Sequence, residues 1–270
     1  FDIVKKNSGH LLSSKYISNY TAGLTFFIAV AATNLFHQGN WQRVFAAKNN
    51  KVLIKSLLLS FFIIVPIVFF MGISGLFAVS LDNNINPDLA FFFILLKNNT
   101  KFLPILLIIL ATSLTISTLD TLLNAISSII VVDSNKIYSR TIKKNFFNFS
   151  KIFIVILCIV AFFIASKGYS ILYLFLLADL LCCAAVFTVF YSFYQRKFDE
   201  KKAIISIFLG LFLGLLLFPS TDFSQSILVG LLLPIDLFPQ IVSTSLLFWS
   251  FLLATVGPAI VIISYDSFKR

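Results

Sequence analysis

The sequence predicts an all-α polytopic membrane protein. Of its 270 residues, 59% are hydrophobic and only 12% are charged, whereas an ordinary soluble domain carries about 25% charged residues. Apolar runs of about 20 residues recur along the chain, and each is long enough as a helix to cross a hydrocarbon core of about 30 Å. A soluble cytosolic protein is therefore excluded.

Seven of the apolar runs are predicted to span the membrane as helices. They lie at about 22–45, 54–80, 102–133, 150–167, 169–194, 203–218 and 241–264. Strands are not expected, because runs such as 61–70 are apolar on every side, whereas a transmembrane strand alternates in polarity over about ten residues. The segment 226–238 is short and contains Pro234 and Asp236, so it is predicted to be an interfacial or re-entrant piece.

The basic residues predict the direction of the spans. The formal net charge is +10, but the positive residues occur in short clusters between apolar runs, which does not indicate nucleic-acid binding. The clusters that follow the first, third, fifth and seventh spans are Arg43, Lys48, Lys51, Lys55; Lys136, Arg140, Lys143, Lys144, Lys151; Arg196, Lys197, Lys201, Lys202; and Lys269, Arg270. By the positive-inside rule these clusters and the C-terminus are cytoplasmic, and residues 1–21 are extracellular.

The first span ends in a polar stretch that contains Thr33, Asn34, His37 and Gln38. Polar residues and a glycine at membrane depth indicate a broken helix or a water-lined cavity. The alternative is that the helix simply ends near Phe36. Both interpretations stay open on the sequence alone.

The third span carries a polar stripe along one side. Ser113, Ser117, Asp120, Asn124 and Ser127 recur at steps of three and four residues, which places them on one face of a helix. Hydroxyl groups in such a stripe can hold helices together through hydrogen bonds. An ionised Asp120 costs about 2.5–3.5 kcal/mol at the centre of a span, so the stripe must face protein or water and Asp120 requires a donor or a cation.

Two motifs resemble those of the sodium:solute symporter family, which includes proline, sugar, iodide and monocarboxylate carriers. The first is the string QGNWQRVFAAK at 38–48, and the second is STLDTLLNAISS at 117–128, followed by Val132 and Asp133. Their order and separation carry the resemblance, which extends over most of the chain and weakens after about residue 195.

The resemblance implies part of a leucine-transporter-like fold, in which two inverted five-helix repeats hold substrate and ion between them. On this interpretation residues 22–194 form the second repeat and 195–270 add two C-terminal helices to a single transmembrane domain. The chain is then expected to be a fragment whose partner is the missing N-terminal half of the same transporter.

The resemblance also implies a sodium site on the third span. Carried over by position, its ligands are the carbonyl of Leu114 and the hydroxyls of Ser117 and Thr118, with Na⁺ as the coupling ion and no organic cofactor. The chemistry agrees, because a small hard cation binds uncharged and anionic oxygens, and these three residues lie within one turn of a helix.

The substrate is expected to be a small polar solute. Sugar carriers of the family place a Tyr-Trp pair where this sequence has Thr33 and Asn34, which disfavours a stacked sugar. Thr33, Asn34 and His37 offer hydrogen bonds instead, which suit an amino acid or organic acid. Asp120 and Asp179 are candidates for an ion or proton pathway, although a structural, hydrogen-bonded role for Asp179 is equally open.

The expected function is sodium-coupled symport across the plasma membrane, with no enzymatic activity. The alternative is a transporter-like sensor domain that signals to a partner. An intramembrane aspartyl hydrolase using Asp120 and Asp179 finds no support, because neither acid stands in a Tyr-Asp or Gly-x-Gly-Asp context.

Overall fold

The regular secondary structure of this protein is helical wherever the structure describes it. The computed structural model describes residues 2–82, 85–96, 102–137, 143–195, 198–223, 225–226 and 240–268. Within these ranges the β pairing consists of a single isolated antiparallel bridge between Pro219 and Ser226. The predicted all-α polytopic membrane fold is confirmed.

The helices follow the apolar runs closely. Their bounds are α1 Asp2–Ser8, α2 Ile17–Phe36, α3 Gln38–Ala46, α4 Asn50–Leu81, α5 Ala90–Leu96, α6 Phe102–Ile137, α7 Lys143–Ala165, α8 Ile171–Ser192, α9 Glu200–Leu217, α10 Gln240–Ser243 and α11 Leu246–Phe268. Short 3-10 turns lie at Gly9–Leu12 and Pro87–Leu89. Of the predicted re-entrant segment 226–238, all but Ser226 lies outside the described residues.

Five of the described helices are long and apolar enough to cross a membrane. The spanning stretches are Asn50–Leu81, Phe102–Asp133, Asn148–Ala165, Ile171–Ser192 and Leu246–Ser267. The other two predicted spans are helical but fall outside this set. Helix α9 begins with three charged residues, Glu200, Lys201 and Lys202, and α2 carries polar residues near both of its ends.

The predicted first span, 22–45, consists of two helices. Helix α2 starts five residues before the predicted boundary and ends at Phe36. His37 then adopts an extended conformation (φ −71°, ψ 104°), and α3 begins at Gln38. The polar stretch thus marks a break, with a helix end at Phe36 and a new helix directly after it.

The chain divides into two units. Unit one comprises residues 1–7 and 38–169, and unit two comprises residues 8–37 and 170–270. Residues 22–194, predicted to be one repeat, therefore contribute α2 and α8 to unit two and α3 to α7 to unit one. The assignment of the chain to one inverted-repeat domain stays a prediction.

Unit two is built around α8. Leu176, Leu180 and Cys183 on one side of α8 are fully enclosed and pack with small residues of α2 and α11. The residues that α2 and α11 contribute to this cluster are Ala29, Ala32, Phe251 and Ala254. The alanines let the helix backbones approach closely, as small residues do in membrane helix interfaces.

Helices α9 and α11 also pack closely in unit two. A Cβ atom added at Gly210 would lie 2.4 Å from Cγ of Pro258, and one at Gly214 would lie 2.9 Å from Cβ of Ala254. The Ser250 hydroxyl donates to the Gly214 carbonyl at 2.7 Å. The Gly210–Gly214 pair, recognisable in the sequence as a small-xxx-small motif, thus serves packing within the chain.

Candidate functional site

The residues predicted for sodium and those predicted for substrate lie in different units. Leu114, Ser117 and Thr118 belong to α6 in unit one, whereas Thr33, Asn34 and His37 stand at the end of α2 in unit two. Each group is therefore described within its own unit.

The predicted sodium ligands lie on an exposed face of α6. Leu114, Ser117 and Thr118 are all exposed. The Thr118 hydroxyl donates to the Leu114 carbonyl at 2.9 Å, and the Thr121 hydroxyl donates to the Ser117 carbonyl at 3.0 Å. The first of these bonds holds the Leu114 and Thr118 oxygens side by side within one turn. Small hard cations take about six or more oxygens, so this face supplies only part of a coordination shell.

Most of the polar stripe on α6 is likewise exposed. Ser113 donates to the carbonyl of Ile109 at 2.7 Å, and Asp120 and Asn124 lie on the surface of unit one. Ser127 is half-buried and lies 3.4 Å from the hydroxyl of Ser150 on α7. Hydroxyl contact between helices, one of the two interpretations of the stripe, is therefore observed at this end of α6.

The structure joins a predicted substrate residue to Asp179. The Thr33 hydroxyl of α2 donates to Oδ1 of Asp179 on α8, with 2.5 Å between the oxygens. Asp179 is 7% exposed and Thr33 is half-buried. The thiol of Cys182, one turn further along α8, also interacts with Thr33. The two polar residues are 146 positions apart, and their pairing could not be read from spacing.

Asn34 and His37 do not join this pair. The side chain of Asn34 is exposed and donates to the Val30 carbonyl of its own helix at 2.8 Å. His37 follows Thr33 by four residues, at the break, and its Nδ1 atom is enclosed without a hydrogen-bond partner among the described residues. Of the three predicted substrate residues, Thr33 is the one that forms a hydrogen bond with Asp179.

A second polar cluster in unit two was not predicted from the sequence. Lys202 of α9 is 2% exposed and forms an ion pair with Asp266 of α11. Gln195 donates to the same carboxylate at 3.0 Å. The Lys202 ammonium also lies 5.0 Å from the ring centre of Phe198, and 5.8 and 6.0 Å from those of Tyr191 and Tyr265. The sequence indicates Lys202 only as one of several positive residues in a basic cluster, and nothing in its spacing predicts an ion pair with Asp266.

This second cluster is a structural connection between helices. We call it the Lys202 cluster: Lys202, Asp266, Gln195 and the rings of Tyr191, Phe198 and Tyr265. Tyr265 additionally donates to Asp199 at 3.1 Å, and Asp199 accepts from the amide of Lys201 at 3.0 Å at the start of α9. The cluster satisfies its own charges and joins the ends of α8, α9 and α11.

The chain is similar to a known transporter. It is 28% identical over 197 residues to the spermidine transporter DUR31 of Candida albicans, a match that covers 69% of this chain and 37% of that protein. The chain thus spans little more than a third of the length of this curated relative. No family profile and no solved structure matches the chain. Fold and likeness together describe a helical, multi-pass membrane protein related in sequence to a membrane transporter.

Proposed function

We propose that the full-length protein is a secondary active transporter that couples entry of a small polar solute to sodium by alternating access. The observation that carries the proposal is the similarity to a transporter over 69% of the chain. The polar face of α6 and the polar break after α2 support it, since broken helices and inward polar residues form the binding sites of such carriers.

In this proposal sodium binds to the exposed turn of α6. The Leu114 carbonyl and the Ser117 and Thr118 hydroxyls provide three oxygens, and parts of the full-length protein outside this chain provide the others. A bound ion holds the two sets of ligands together and so favours one orientation of the carrier. When the carrier opens to the other side, the ligands separate and the ion leaves.

The solute in this proposal binds beside the polar end of α2. Thr33 offers a hydroxyl, and the buried carboxylate of Asp179 lies against it. The similarity to a spermidine transporter adds polyamines to the amino acids and organic acids that the polar residues favour. An apolar or stacked sugar solute does not fit this chemistry.

Uptake into proteoliposomes that contain the full-length protein tests the proposal. With radiolabelled spermidine, proline and acetate offered in turn, we expect accumulation of at least one solute above equilibrium. This accumulation should fall when external sodium is replaced by a large organic cation or by isotonic mannitol. Uptake that is independent of sodium rejects the coupling, and binding without accumulation favours the alternative of a sensor domain.

Substitution of the α6 hydroxyls tests the ion site. Ser117→Ala and Thr118→Ala each remove one oxygen ligand, so the sodium concentration for half-maximal uptake should rise about three- to tenfold. Thr115→Ala is the matched control, because Thr115 is exposed on the same helix and its hydroxyl donates to a carbonyl of the preceding turn, Ala111, at 2.8 Å. An equal rise in all three variants contradicts the assigned site.

A further inference from the structure

Asp179 is a buried acid inside an apolar transmembrane helix. It stands between Ala178 and Leu180 in α8 and is 7% exposed. Its Oδ1 atom accepts from the Thr33 hydroxyl. Its Oδ2 atom has no hydrogen-bond partner among the described residues and is not fully enclosed. One carboxylate oxygen is therefore held in place while the other remains available to a ligand.

The helices around Asp179 offer no positive side chain. Helices α2, α8 and α11 contain no Lys, Arg or His at all. Helix α9 has two lysines in its first turn, and Lys202, the buried one, is paired with Asp266. Among the described residues of unit two, the buried lysine is thus paired with a half-buried acid, and Asp179 is a buried acid whose described partner is a neutral hydroxyl. Ionisable residues inside membrane spans mark ion pathways, proton relays and ligand counter-ions by default.

We propose that Asp179 binds the positively charged amino group of the transported solute and that Thr33 orients it. This inference rests on the proposed transport function and names its solute class as amines and amino compounds. An ammonium group donates three hydrogen bonds. Asp179 Oδ2 accepts one of them, and the Thr33 oxygen accepts another through a lone pair that its bond to Oδ1 leaves unused.

The surroundings favour an ammonium group over a bare metal ion. Sodium needs several oxygens at once, whereas the side chains packed around α8 in this unit are mostly apolar. Asp179 and Thr33 are the two functional candidates that offer side-chain oxygens there. An amine requires only these two acceptors, because its carbon chain can pack against apolar side chains. Ala29, Ala32 and Leu176 belong to the apolar cluster of this unit.

Binding to the purified full-length protein tests the inference without requiring transport. Three amines, putrescine, ethanolamine and alanine, are each compared with the analogue that has a hydroxyl in place of the amine: butane-1,4-diol, ethylene glycol and lactate. Calorimetry in detergent is run with and without sodium. We expect at least one amine to bind about tenfold or more tightly than its partner. If no amine is preferred, the inference is wrong.

Substitutions then test whether Asp179 is responsible for the preference for amines over their hydroxyl analogues. Asp179→Asn should weaken amine binding about tenfold or more and weaken binding of the hydroxyl analogue by a much smaller factor, and Thr33→Val should weaken amine binding less than Asp179→Asn does. Asp179→Glu keeps the charge and Thr33→Ser keeps the hydroxyl, so both variants should retain the preference for the amine. These two variants also keep the inference testable if Asp179→Asn does not fold. Asp88→Asn is the matched control, since Asp88 is an exposed acid outside the spanning helices.

The outcomes separate this inference from the proposed function. Undiminished amine binding in Asp179→Asn overturns the role of Asp179, as does a preference that Asp179→Glu and Thr33→Ser both lose. If Asp179 only carried a proton, its substitution would change the pH dependence of uptake and would leave the preference for amines over alcohols unaltered. That result would also overturn the inference. Uptake that does not depend on sodium removes the coupling and leaves this binding result standing.

Discussion

At the scale of single residues, two acids of unit two, Asp179 and Asp266, differ in their partners. Asp266 is half-buried and is paired with Lys202, which is 2% exposed and surrounded by three aromatic rings. Asp179 has a hydroxyl as its described partner. A buried charge is tolerated when it is paired and hydrogen-bonded, whereas a buried acid without a cation costs free energy and is by default a candidate for a functional residue. Asp266 therefore has a structural contact, and Asp179 is the acid for which we propose ligand binding.

The Lys202 cluster predicts an asymmetry between its two charges. Asp266→Asn leaves a buried ammonium without its carboxylate and should lower the free energy of unfolding by about 2–3 kcal/mol. Lys202→Met removes the buried charge and keeps the volume, and the remaining Asp266 is partly exposed and still bonded to Gln195. Its cost should be smaller. Thermal unfolding in detergent measures both effects.

A neighbouring acid provides the control for this prediction. Glu200 is exposed in the first turn of α9 and lies outside the Lys202 cluster, so Glu200→Gln should change the unfolding temperature little. Equal losses in Asp266→Asn and Lys202→Met would show that the ion pair, and not the unpaired lysine, dominates the cost.

At the scale of helices, the contact between α9 and α11 depends on glycine. The space that a Cβ atom would need at Gly210 is occupied by the Pro258 ring and, at 2.9 Å, by the carbonyl oxygen of Ala254. A proline ring and a backbone carbonyl cannot rotate away as the end of a flexible side chain can. The two helices must therefore separate if residue 210 acquires a side chain.

Gly210→Ala should consequently destabilise unit two. We expect a loss of about 1–3 kcal/mol, the usual cost of overpacking, measured as a lower unfolding temperature in detergent. Gly72→Ala is the matched control, because Gly72 lies inside α4 and a Cβ atom there meets nothing within 4 Å. Alanine is the better helix former, so this variant should be neutral or slightly stabilising. A Gly210→Ala protein as stable as Gly72→Ala would contradict the packing described here.

The sequence predicts the existence of these helices better than their ends and partners. The run 54–80 is apolar on all sides and 102–133 is apolar except for its polar stripe. In lipid only a helix satisfies the backbone groups of such runs, so α4 and α6 appear within a few residues of the expected bounds. The same uniformity hides which side of each helix meets which neighbour. Thr33 and Asp179 were both recognised as polar residues at membrane depth, but only the fold brings residues 146 positions apart together.

At the scale of the whole molecule, the chain passes between its two units three times. The crossings are at Asn7 and Ser8, at His37 and Gln38, where α2 ends and α3 begins, and at Tyr169 and Ser170, just before α8. The crossing at His37 was visible in the sequence as a polar interruption, whereas the other two carry no comparable signal. The division into units follows from tertiary contacts, which composition and hydropathy do not encode.

The arrangement of basic residues predicts the orientation of the full-length protein. Asn50 is the first residue of α4 and stands between Lys48 and Lys51, in a basic cluster that should be cytoplasmic, and Asn86 lies beyond the other end of α4. A membrane-impermeant maleimide should label Asn86→Cys in intact cells and Asn50→Cys only after permeabilisation. The unsubstituted protein gives the background, and the reverse pattern of labelling would invert the proposed topology.

The bond between Thr33 and Asp179 also sets an order of events during synthesis. A ribosome adds about 5–20 residues per second. Asp179 is 146 positions after Thr33, so it is synthesised roughly 7–30 s later. Helix α2, which is not among the helices apolar enough to cross a membrane by length and composition, is made well before its partner, whereas α4 and α6 are in that set. Helix α2 therefore spends that interval without the carboxylate that accepts from its Thr33 hydroxyl.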